Sequence, residues 1–490
     1  MLPKEAQNAP KARVFRANVD FIFERTFIMC EYNYDIVVLG GGPGGYVSAI
    51  RCAQFGKKVA LVEARELGGT CLNRGCIPTK ALLHSAEVYE MAKNAAACGV
   101  TTGEVGFDFG KVAEYKDGVV TKLRTGVAGL EKAHGVKVIN GFGKLIDAHT
   151  LDVNGESITF DKLILATGSS PARPPIPGID GQNVVTSDEI LTMNELPGSF
   201  VIIGGGVIGI EFATLFSTLE RPVTVIEMMP SILPGVDADV VRTLNRVLKK
   251  KKVNVINNAR VTEIVGGETV TVKYELNGAQ KTAEGACCVV SVGRRAMTAD
   301  IGLENLGIEM NRAFINIDEH CRTNIENIYA IGDITGKIQL AHVASAQGLV
   351  AAANACGRDE VMDYSVVPSC IYTSPEIAFV GLSEDKAKAQ GIEYKVGTFN
   401  VAGNGRAMIM GEALGTAKLI AAPDGKLLGA QLMCPRATDM IAEIAAVLHK
   451  GGTIEDISGT IHPHPTVSEV VMEAAHDFEG LCCHGLPKRK

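Results

Sequence analysis

The chain has 490 residues, 46% of them apolar, so it is long enough for three or four globular domains. Its net charge is −7 and its basic residues are spread along the chain, which argues against nucleic acid or a membrane surface as a partner. No apolar run reaches the roughly 18 residues of a spanning helix, and no secretory signal is visible. Thirteen cysteines without regular spacing favour a reducing compartment.

Residues 1–33 precede the first predicted strand and contain acidic residues such as Glu5 and Glu24 beside basic ones. An organellar presequence is usually poor in acidic residues. Met29 stands just before Tyr34, where the folding signals begin. We therefore expect an N-terminal extension with Met29 as the natural start and a cytoplasmic protein. The alternative is a presequence for the mitochondrial matrix.

A glycine-rich loop follows the first predicted strand, Tyr34–Leu39. The loop contains Gly40, Gly42 and Gly45, leads into a predicted helix, and is followed by a second strand that ends at Glu63, 18 residues after the last glycine. In such a unit the glycines let a pyrophosphate approach the backbone, and the helix N-terminus stabilises its charge. The acidic residue binds a ribose hydroxyl. The pattern predicts a dinucleotide site.

Two cysteines, Cys71 and Cys76, stand five positions apart ahead of a predicted helix over residues 79–91. Five helical residues rise about 7.5 Å, which is too far for a disulfide unless the turn between them is irregular. Gly75 and Pro78 favour such a turn. Cys76 would then lie at the positive end of the helix, where a thiol pKa is lowered. The pattern indicates a reactive dithiol, and the alternative is two separate core cysteines.

The glycine-rich unit occurs a second time, after a proline-rich linker at residues 171–177. Strand Phe200–Ile203 leads into Gly204, Gly206 and Gly209, and Glu227 again lies 18 residues after the last glycine. Two copies with one spacing predict two doubly wound domains and two dinucleotide sites. Because no arginine accompanies Glu227, we expect the second site to prefer NAD over NADP.

A later strand, 328–331, delivers Asp333 at its carboxyl end, where α/β sheets bind ligands. A predicted helix over residues 340–353 follows, and its N-terminus would favour negative charge. Taken alone, Gly332 and Asp333 would more often form an ordinary turn than a site.

Near the C-terminus, prolines flank His464 on both sides and restrict its backbone. Glu469 lies five residues further on and could orient the imidazole, an arrangement suited to general acid/base catalysis. We expect His462 to be a packed structural histidine. A metal site is not expected, because no spaced cluster of cysteines and histidines completes four ligands.

Together, the motifs GGGPGG, GGTCLNRGCIPTK, ATGSSP, GGGVIGIE, IGD and HPHPTVSE closely resemble those of the flavin-dependent pyridine nucleotide–disulfide oxidoreductases. The resemblance runs from about Tyr34 to Gly480. It implies an α/β fold with two Rossmann-like, doubly wound dinucleotide-binding domains and a C-terminal α+β dimerisation domain. The implied divisions are an N-terminal extension (1–33), an FAD-binding domain (34–175), an NAD-binding domain (176–299), a central domain completing the FAD site (300–365), an interface domain (366–480) and a tail (481–490).

The resemblance also implies site residues. It assigns the thiol that meets the substrate to Cys71, the thiol against the flavin to Cys76, the acid/base to His464 and its orientation to Glu469. Lys80, one helical turn after Cys76, would lie near the flavin and pair with Glu211. The implied FAD-site residues are Gly40, Gly42, Gly45, Glu63, Lys80, Gly143, Thr167, Gly168, Asp333 and Ala341. The implied NAD-site residues are Gly204, Gly206, Gly209, Glu211, Glu227 and Gly293.

The branch of the family that matches best oxidises protein-bound dihydrolipoamide and reduces NAD⁺. It implies a homodimer that serves lipoyl-bearing proteins of a 2-oxoacid dehydrogenase or glycine cleavage complex. Alternatives are a reductase of glutathione disulfide or mercuric ion, or a non-catalytic subunit of a complex. We interpret the tail pair Cys482 and Cys483 as incidental, and we expect Cys287 and Cys288 to pack in a core.

Overall fold

A computed structural model describes residues 32–486 of the chain. The expectations about residues 1–31, including Met29 as a start, and about residues 487–490 of the tail lie outside the described residues. Within residues 32–486, none of the helices combines the length and the hydropathy that crossing a bilayer requires.

The first part of the chain forms a mainly parallel sheet covered by helices. Its elements are β1 (Tyr34–Leu39), α1 (Pro43–Gln54), β2 (Val59–Glu63), α2 (Gly69–Arg74), α3 (Cys76–Lys93), α4 (Phe109–Ala133), β3 (Lys137–Asn140), β4 (Gly143–Asp147), β5 (Thr150–Val153), β6 (Glu156–Leu165) and β7 (Ser169–Pro171). The strand order is β3-β2-β1-β6-β5-β4. β1 pairs in parallel with β2 and β6, which places Val37 beside Ala60 and Leu163. These apolar residues are fully buried, as in a central parallel strand.

The second part repeats this architecture. Its elements are β8 (Val184–Val185), α5 (Ser187–Ile190), β9 (Phe200–Ile203), α6 (Val207–Thr218), β10 (Val223–Ile226), α7 (Ala238–Lys250), β11 (Val253–Ile256), β12 (Ala259–Val265), β13 (Val270–Leu276), β14 (Ala279–Gly285), β15 (Cys287–Val290) and β16 (Arg294–Ala296). The parallel sheet has the order β11-β10-β9-β15-β8, and β12, β13 and β14 form an antiparallel sheet. β16 pairs with β7, so the predicted linker begins in a short ribbon rather than in free chain.

The chain then returns to the first sheet. Its elements here are β17 (Met310–Asn311), β18 (Phe314–Ile315), β19 (Ile328–Ala330) and α8 (Ala341–Ala355). β19 pairs in parallel with β6, and α8 packs against α1. The segment that was predicted as a central domain, 300–365, therefore adds a strand and a helix to the first domain.

The C-terminal part is an antiparallel sheet with helices packed on it. Its elements are β20 (Ser369–Ile371), β21 (Glu376–Gly381), α9 (Glu384–Ala389), β22 (Lys395–Asn400), α10 (Gly405–Met410), β23 (Thr416–Ala421), β24 (Leu427–Cys434), α11 (Ala437–His449), α12 (Ile454–Ser458) and α13 (Glu469–Phe478). The strand order is β20-β21-β24-β23-β22. The predicted fold class, two Rossmann-like domains followed by an α+β domain, is confirmed.

Candidate active site

The two glycine-rich loops have the same construction. The first glycine of each loop, Gly40 or Gly204, has a positive φ, of 108° or 107°. A Cβ on Gly40 would lie 2.3 Å from the carbonyl oxygen of Ala166, and one on Gly204 would lie 2.5 Å from that of Ser291. Both the backbone conformation and the neighbouring strand therefore require glycine.

The remaining glycines of each loop differ in what they face. A Cβ on Gly45 or Gly209 would lie 1.8 or 2.1 Å from the carbonyl oxygen of the first glycine, so packing excludes a side chain. Among the described residues, the atom nearest to a Cβ on Gly42 would be 4.0 Å away, and a Cβ on Gly206 would have none within 4 Å. α1 and α6 begin at these two glycines without a side-chain cap. Their first backbone N–H groups thus remain available for a pyrophosphate.

The acidic residue of each unit accepts hydrogen bonds from the backbone of its own glycine-rich loop. Oε2 of Glu63 accepts a hydrogen bond from the Gly41 N–H at 2.6 Å, and Oε2 of Glu227 accepts one from the Gly205 N–H at 2.5 Å. The second oxygen of Glu227 accepts from the Met229 N–H at 2.6 Å. Each carboxylate oxygen has capacity for a further donor, such as a ribose hydroxyl. The acids therefore fix the loop geometry as well as offering a ribose contact.

Asp333 lies in a polar cluster between the first domain and β16. Its Oδ2 accepts a hydrogen bond from the Ser169 hydroxyl and lies 3.7 Å from Nε of Arg294. Arg294 also donates to the Ser169 hydroxyl and carbonyl, each at 2.7 Å. Asp333 is thus held in place at the carboxyl end of β19, as the strand-end pattern predicted.

The other predicted cofactor residues lie on turns or at element ends. Thr167 donates its hydroxyl to the Met297 carbonyl at 2.6 Å, and Gly168 has a φ of 73°. Gly143 begins β4, where a Cβ would meet the Leu39 side chain at 2.6 Å, so packing alone accounts for this glycine. Ala341 is the first residue of α8, which has no side-chain cap at its N-terminus. Gly293 lies between β15 and β16 with a φ of 109°.

The two cysteines lie on consecutive helices that meet at Gly75. α2 ends at Arg74 and α3 begins at Cys76, and Gly75 between them has φ −145° and ψ −112°. This break is the irregular turn that the sequence predicted, and it brings the thiols of Cys71 and Cys76 into hydrogen-bond contact. Cys76 is the first residue of α3 and so lies at a helix N-terminus, as expected, although the helix begins before residue 79. The structure shows both as free thiols.

Contact between the thiols shifts the pKa of each in opposite directions. The hydrogen bond from Cys71 lowers the pKa of Cys76 to about 7; partial loss of hydration opposes this shift, and the positive charge of Lys80 reinforces it. The same hydrogen bond raises the pKa of Cys71. Near neutral pH, Cys76 is therefore the thiolate and Cys71 its hydrogen-bond donor.

Lys80 and Glu211 form the ion pair that the resemblance implied. Nζ of Lys80 lies 2.7 Å from Oε2 of Glu211, and the Glu211 side chain is 4% exposed. Oε1 of Glu211 accepts a hydrogen bond from the Tyr372 N–H at 3.0 Å. Nζ of Lys80 also lies 4.5 Å from the centre of the Tyr372 ring. α3, α6 and the residue after β20 thus meet beside the dithiol.

His464 and Glu469 form a pair on the C-terminal domain. Nδ1 of His464 lies 2.9 Å from Oε1 of Glu469, while Oε2 accepts from the Thr466 N–H at 2.9 Å. Partial burial would raise the pKa of Glu469, but the hydrogen bonds from Thr466 and His464 lower it. The His464 side chain is 79% exposed, so its other nitrogen faces outward. Among the described residues of the single chain, the side chain of His464 hydrogen-bonds to Glu469 and not to the thiol of Cys71 or Cys76.

The structure also shows the surroundings of the histidine and the cysteines that were given structural interpretations. Nε2 of His462 lies 2.9 Å from Oε1 of Glu443, and the His462 side chain is 4% exposed. Cys287 and Cys288 are buried, and burial raises the pKa of each thiol to about 12. Burial and then the hydrogen bond to Glu473 raise the pKa of Cys482 to about 11, which makes it a poor nucleophile. Among residues 32–486, no group of histidine, cysteine and acidic side chains could hold a metal ion.

Sequence reasoning missed several residues of the site. Arg294 and Ser169 hold Asp333, and Tyr372 contacts both members of the Lys80 pair. Asn73 donates its side-chain amide to the carbonyls of Leu67 and Gly69 at 2.9 and 3.0 Å and so fixes the segment before Cys71. A signal for Asn73 was present in the sequence, because its polar side chain lies between Cys71 and Cys76. Nothing local to Tyr372 indicates its role, because its partners are distant in sequence.

Comparisons with known proteins agree with this geometry. Residues 34–348 match the family model described as pyridine nucleotide-disulphide oxidoreductase, and residues 367–475 match the dimerisation domain of that family. Dihydrolipoyl dehydrogenase from Bacillus subtilis is 43% identical over 469 residues, covering 92% of this chain and 99% of the relative. The protein of that name from Chlamydia muridarum is 43% identical over 465 residues, covering 93% and 99%.

Solved structures show the same fold over most of the chain. The HOCl-induced flavoprotein disulfide reductase RclA from Escherichia coli superposes with a TM-score of 0.82 at 30% identity, covering 91% of this chain and 99% of RclA. LpdA from Mycobacterium tuberculosis superposes with a TM-score of 0.84 at 27% identity, covering 90% and 98%. The paired thiols between two dinucleotide folds, together with these matches, show that the chain belongs to the pyridine nucleotide–disulphide oxidoreductase family.

Proposed function

We propose that the protein is a dihydrolipoyl dehydrogenase, which oxidises protein-bound dihydrolipoamide to lipoamide and reduces NAD⁺ to NADH. The observation that carries this proposal is the pair Cys71 and Cys76, one protonated and one a thiolate near neutral pH, beside the Lys80–Glu211 ion pair. The relatives named dihydrolipoyl dehydrogenase, which match over nearly their whole length, support this choice of substrate.

FAD fits the first domain. The open side of Gly42, the uncapped N-termini of α1 and α8, and the fixed carboxylates of Glu63 and Asp333 form a set suited to a pyrophosphate and hydroxyl groups. Bound there, FAD would supply two-electron chemistry between a thiolate and a nicotinamide. NAD fits the second domain, where Gly206 is open and Glu227 is poised for a ribose.

The pKa order of the thiols determines how the dithiol exchanges with substrate. One substrate thiolate attacks the sulfur of Cys71 in the Cys71–Cys76 disulfide and releases Cys76 as a thiolate. The second substrate thiol then attacks the mixed disulfide, forms lipoamide and releases Cys71. Because Cys76 has the lower pKa, it is the better leaving group in the first step.

His464 is the proposed base for the substrate thiols. Glu469 fixes its Nδ1, which leaves Nε2 to take a proton. The dimerisation domain supports a homodimer, in which His464 of the partner subunit would face the dithiol. We further propose that the dimer serves lipoyl-bearing proteins of a 2-oxoacid dehydrogenase or glycine cleavage complex. A cytoplasmic location is proposed from the thirteen cysteines, whose spacing lacks the regularity of a disulfide framework.

One assay set tests the substrate. Purified protein with bound FAD is given dihydrolipoamide and NAD⁺, or NADH or NADPH with glutathione disulfide or with Hg²⁺. We expect turnover of dihydrolipoamide to exceed that of the other two by at least about a hundredfold in kcat/KM. A variant that lacks residues 481–490 should keep this activity, because the tail thiols take no part in it.

Faster reduction of Hg²⁺ or of glutathione disulfide by the wild-type protein would overturn the substrate assignment. Loss of Hg²⁺ reduction in the truncated variant would then place the reaction at Cys482 and Cys483. Absence of turnover with every substrate, despite bound FAD, would favour a non-catalytic subunit instead.

A further inference from the structure

Two cysteines outside the active site lie together where α1 and α8 pack side by side. Cys52 is in the last turn of α1, and Cys356 directly follows α8. The sequence separates them by most of the two dinucleotide-binding domains. Neither residue takes part in the exchange proposed for Cys71 and Cys76.

The packing of the two helices explains why the thiols meet. The Ser345 hydroxyl donates to the Pro43 carbonyl at 3.3 Å, so the helices begin together. A Cβ on Gly348 would lie 2.6 Å from the Gly44 carbonyl oxygen, which shows how closely the backbones approach. Cys52 and Cys356 each follow these glycines by eight residues, about two helical turns along parallel helices. The shared register therefore delivers both side chains to the same level.

The two thiols lie close enough to perturb each other's ionisation, and they differ in access and charge. Cys52 is fully buried in the core between the first sheet and α8, whereas Cys356 is half-buried against that core. Lys57 acts on both thiols, whereas Arg358 acts on Cys356. The guanidinium of Arg358 lies 4.0 Å from the centre of the Phe55 ring.

This difference makes Cys356 the reactive thiol of the pair and Cys52 the shielded one. The hydrogen bond from Cys52 lowers the pKa of Cys356; burial opposes the shift, and Lys57 and Arg358 reinforce it. The same contact and burial raise the pKa of Cys52. A partly accessible thiol with thiolate character is the type of cysteine that peroxides oxidise first. A neighbouring buried thiol can then resolve the product.

We propose that Cys52 and Cys356 form a second redox pair, which a hydroperoxide such as hydrogen peroxide converts into a disulfide that links α1 to α8. In the first step the Cys356 thiolate attacks one peroxide oxygen, and the O–O bond breaks to give Cys356 sulfenic acid and hydroxide. In the second step the Cys52 thiol attacks the sulfenic sulfur, forms the S–S bond and releases water. The peroxide is reduced by two electrons, which the two thiols supply.

The disulfide would connect the carboxyl ends of two helices whose N-termini lie at the first dinucleotide site. It leaves the Cys71 and Cys76 dithiol untouched, so the proposal does not depend on the substrate of the enzyme. The pair would protect Cys356 from irreversible oxidation, because a disulfide can be reduced again whereas a sulfinic acid in general cannot.

Peptide mapping of the oxidised full-length protein tests the pair directly. The protein with bound FAD is treated with hydrogen peroxide, its remaining thiols are alkylated, and it is digested without reductant for mass spectrometry. We expect a cross-linked peptide pair containing Cys52 and Cys356 that disappears after reduction. In the Cys52→Ala variant, Cys356 should progress to sulfinic acid. In the Cys356→Ala variant, Cys52 should stay reduced.

Cys321→Ala is the matched control, because Cys321 is fully buried in the same core. This variant should form the Cys52–Cys356 cross-link as the wild type does. The proposal is overturned if Cys356 of the wild-type protein is recovered as a sulfinic acid with Cys52 reduced. It is equally overturned if Cys356 stays unmodified after the Cys71–Cys76 peptide has been oxidised, or if either thiol is found linked to another cysteine.

Discussion

Nζ of Lys80 lies 2.7 Å from Oε2 of Glu211, although α3 and α6 belong to different dinucleotide-binding folds. Glu211 is buried, and its second oxygen is held by the Tyr372 N–H from the C-terminal domain. All three large parts of the chain therefore fix one positive charge beside Cys76. A charge that is placed this rigidly controls the ionisation of the neighbouring thiol.

The Lys80→Met variant should raise the pKa of Cys76. The charge of Lys80 lowers this pKa in the wild type, and its loss also leaves the carboxylate of Glu211 unneutralised. We expect the midpoint of Cys76 alkylation by iodoacetamide to rise from about 7 by roughly one pH unit or more. Lys80→Arg keeps the charge and is the control. An unchanged midpoint in Lys80→Met would show that Lys80 does not set the thiolate.

The His464→Gln variant should lose dihydrolipoamide oxidation by a factor of about 10² to 10⁴, the usual effect of removing a positioned base. Transfer from NADH to an artificial acceptor should change far less, because it needs no proton from this residue. Glu469→Gln should cost less than His464→Gln, since its amide oxygen can still accept the Nδ1 hydrogen bond.

His462→Gln serves as the matched control for His464→Gln. His462 lies on the same segment but is buried against Glu443. Its replacement should lower stability rather than turnover. Equal losses of kcat in the variants at 462 and 464 would contradict the assignment of His464 as the base.

Glu227 should make the protein prefer NADH to NADPH by at least about a hundredfold in kcat/KM, or about 2.7 kcal/mol. The buried carboxylate is fixed by the N–H groups of Gly205 and Met229, so it cannot move away from a 2′-phosphate. Glu227→Gln should narrow this preference. Glu63→Gln, at the same place in the first unit, should affect FAD retention and leave the preference unchanged. Similar rates with both nucleotides in the wild type would refute the prediction.

Glu131 should make the fold less stable as the pH rises. It is fully buried on α4, neither carboxylate oxygen has a hydrogen-bond partner among residues 32–486, and burial raises its pKa from 4.5 to about 8. Between these values the native state holds one more proton than the unfolded state. The free energy of unfolding therefore falls by up to about 1.4 kcal/mol per pH unit.

Thermal unfolding of the Glu131→Leu variant checks this effect. Compared with the wild type, we expect its Tm to be raised more at about pH 8 than at about pH 5. Glu131→Gln removes the charge but keeps an unpaired polar group, so it should lose the pH dependence with a smaller gain. Parallel pH profiles for the wild type and Glu131→Leu would show that Glu131 is not the group responsible.

The two glycine-rich units could be predicted closely from the sequence. The bounds of β1 and β9 agree with the predicted strands, because a short apolar run that ends at a glycine loop leaves little freedom for where a buried parallel strand begins and stops. The helix at the dithiol begins three residues earlier than the local pattern predicted. The irregular backbone at Gly75, with φ −145° and ψ −112°, separates this helix from α2, and the proline at position 78 lies inside the helix.

Contacts between distant segments could not be predicted from local patterns. The pairing of Lys80 with Glu211 came only from the family resemblance, and Tyr372 and Arg294 were not identified at all. Their roles depend on which strands pair and which helices pack. The spacing of residues along the sequence does not reveal these long-range contacts. The contact between Cys52 and Cys356 has the same origin, since only the register of α1 against α8 brings the two thiols together.

The most direct test of the account is anaerobic reduction of the protein with bound FAD by dihydrolipoamide, followed by its absorbance at long wavelength. A Cys76 thiolate in contact with the flavin should produce a new band in the wild-type protein, and the Cys76→Ser variant should lack it. The variant with both Cys482→Ser and Cys483→Ser should show the band unchanged. Retention of the band in Cys76→Ser, or its loss in the tail variant alone, would contradict the claim that Cys71 and Cys76 are the redox centre.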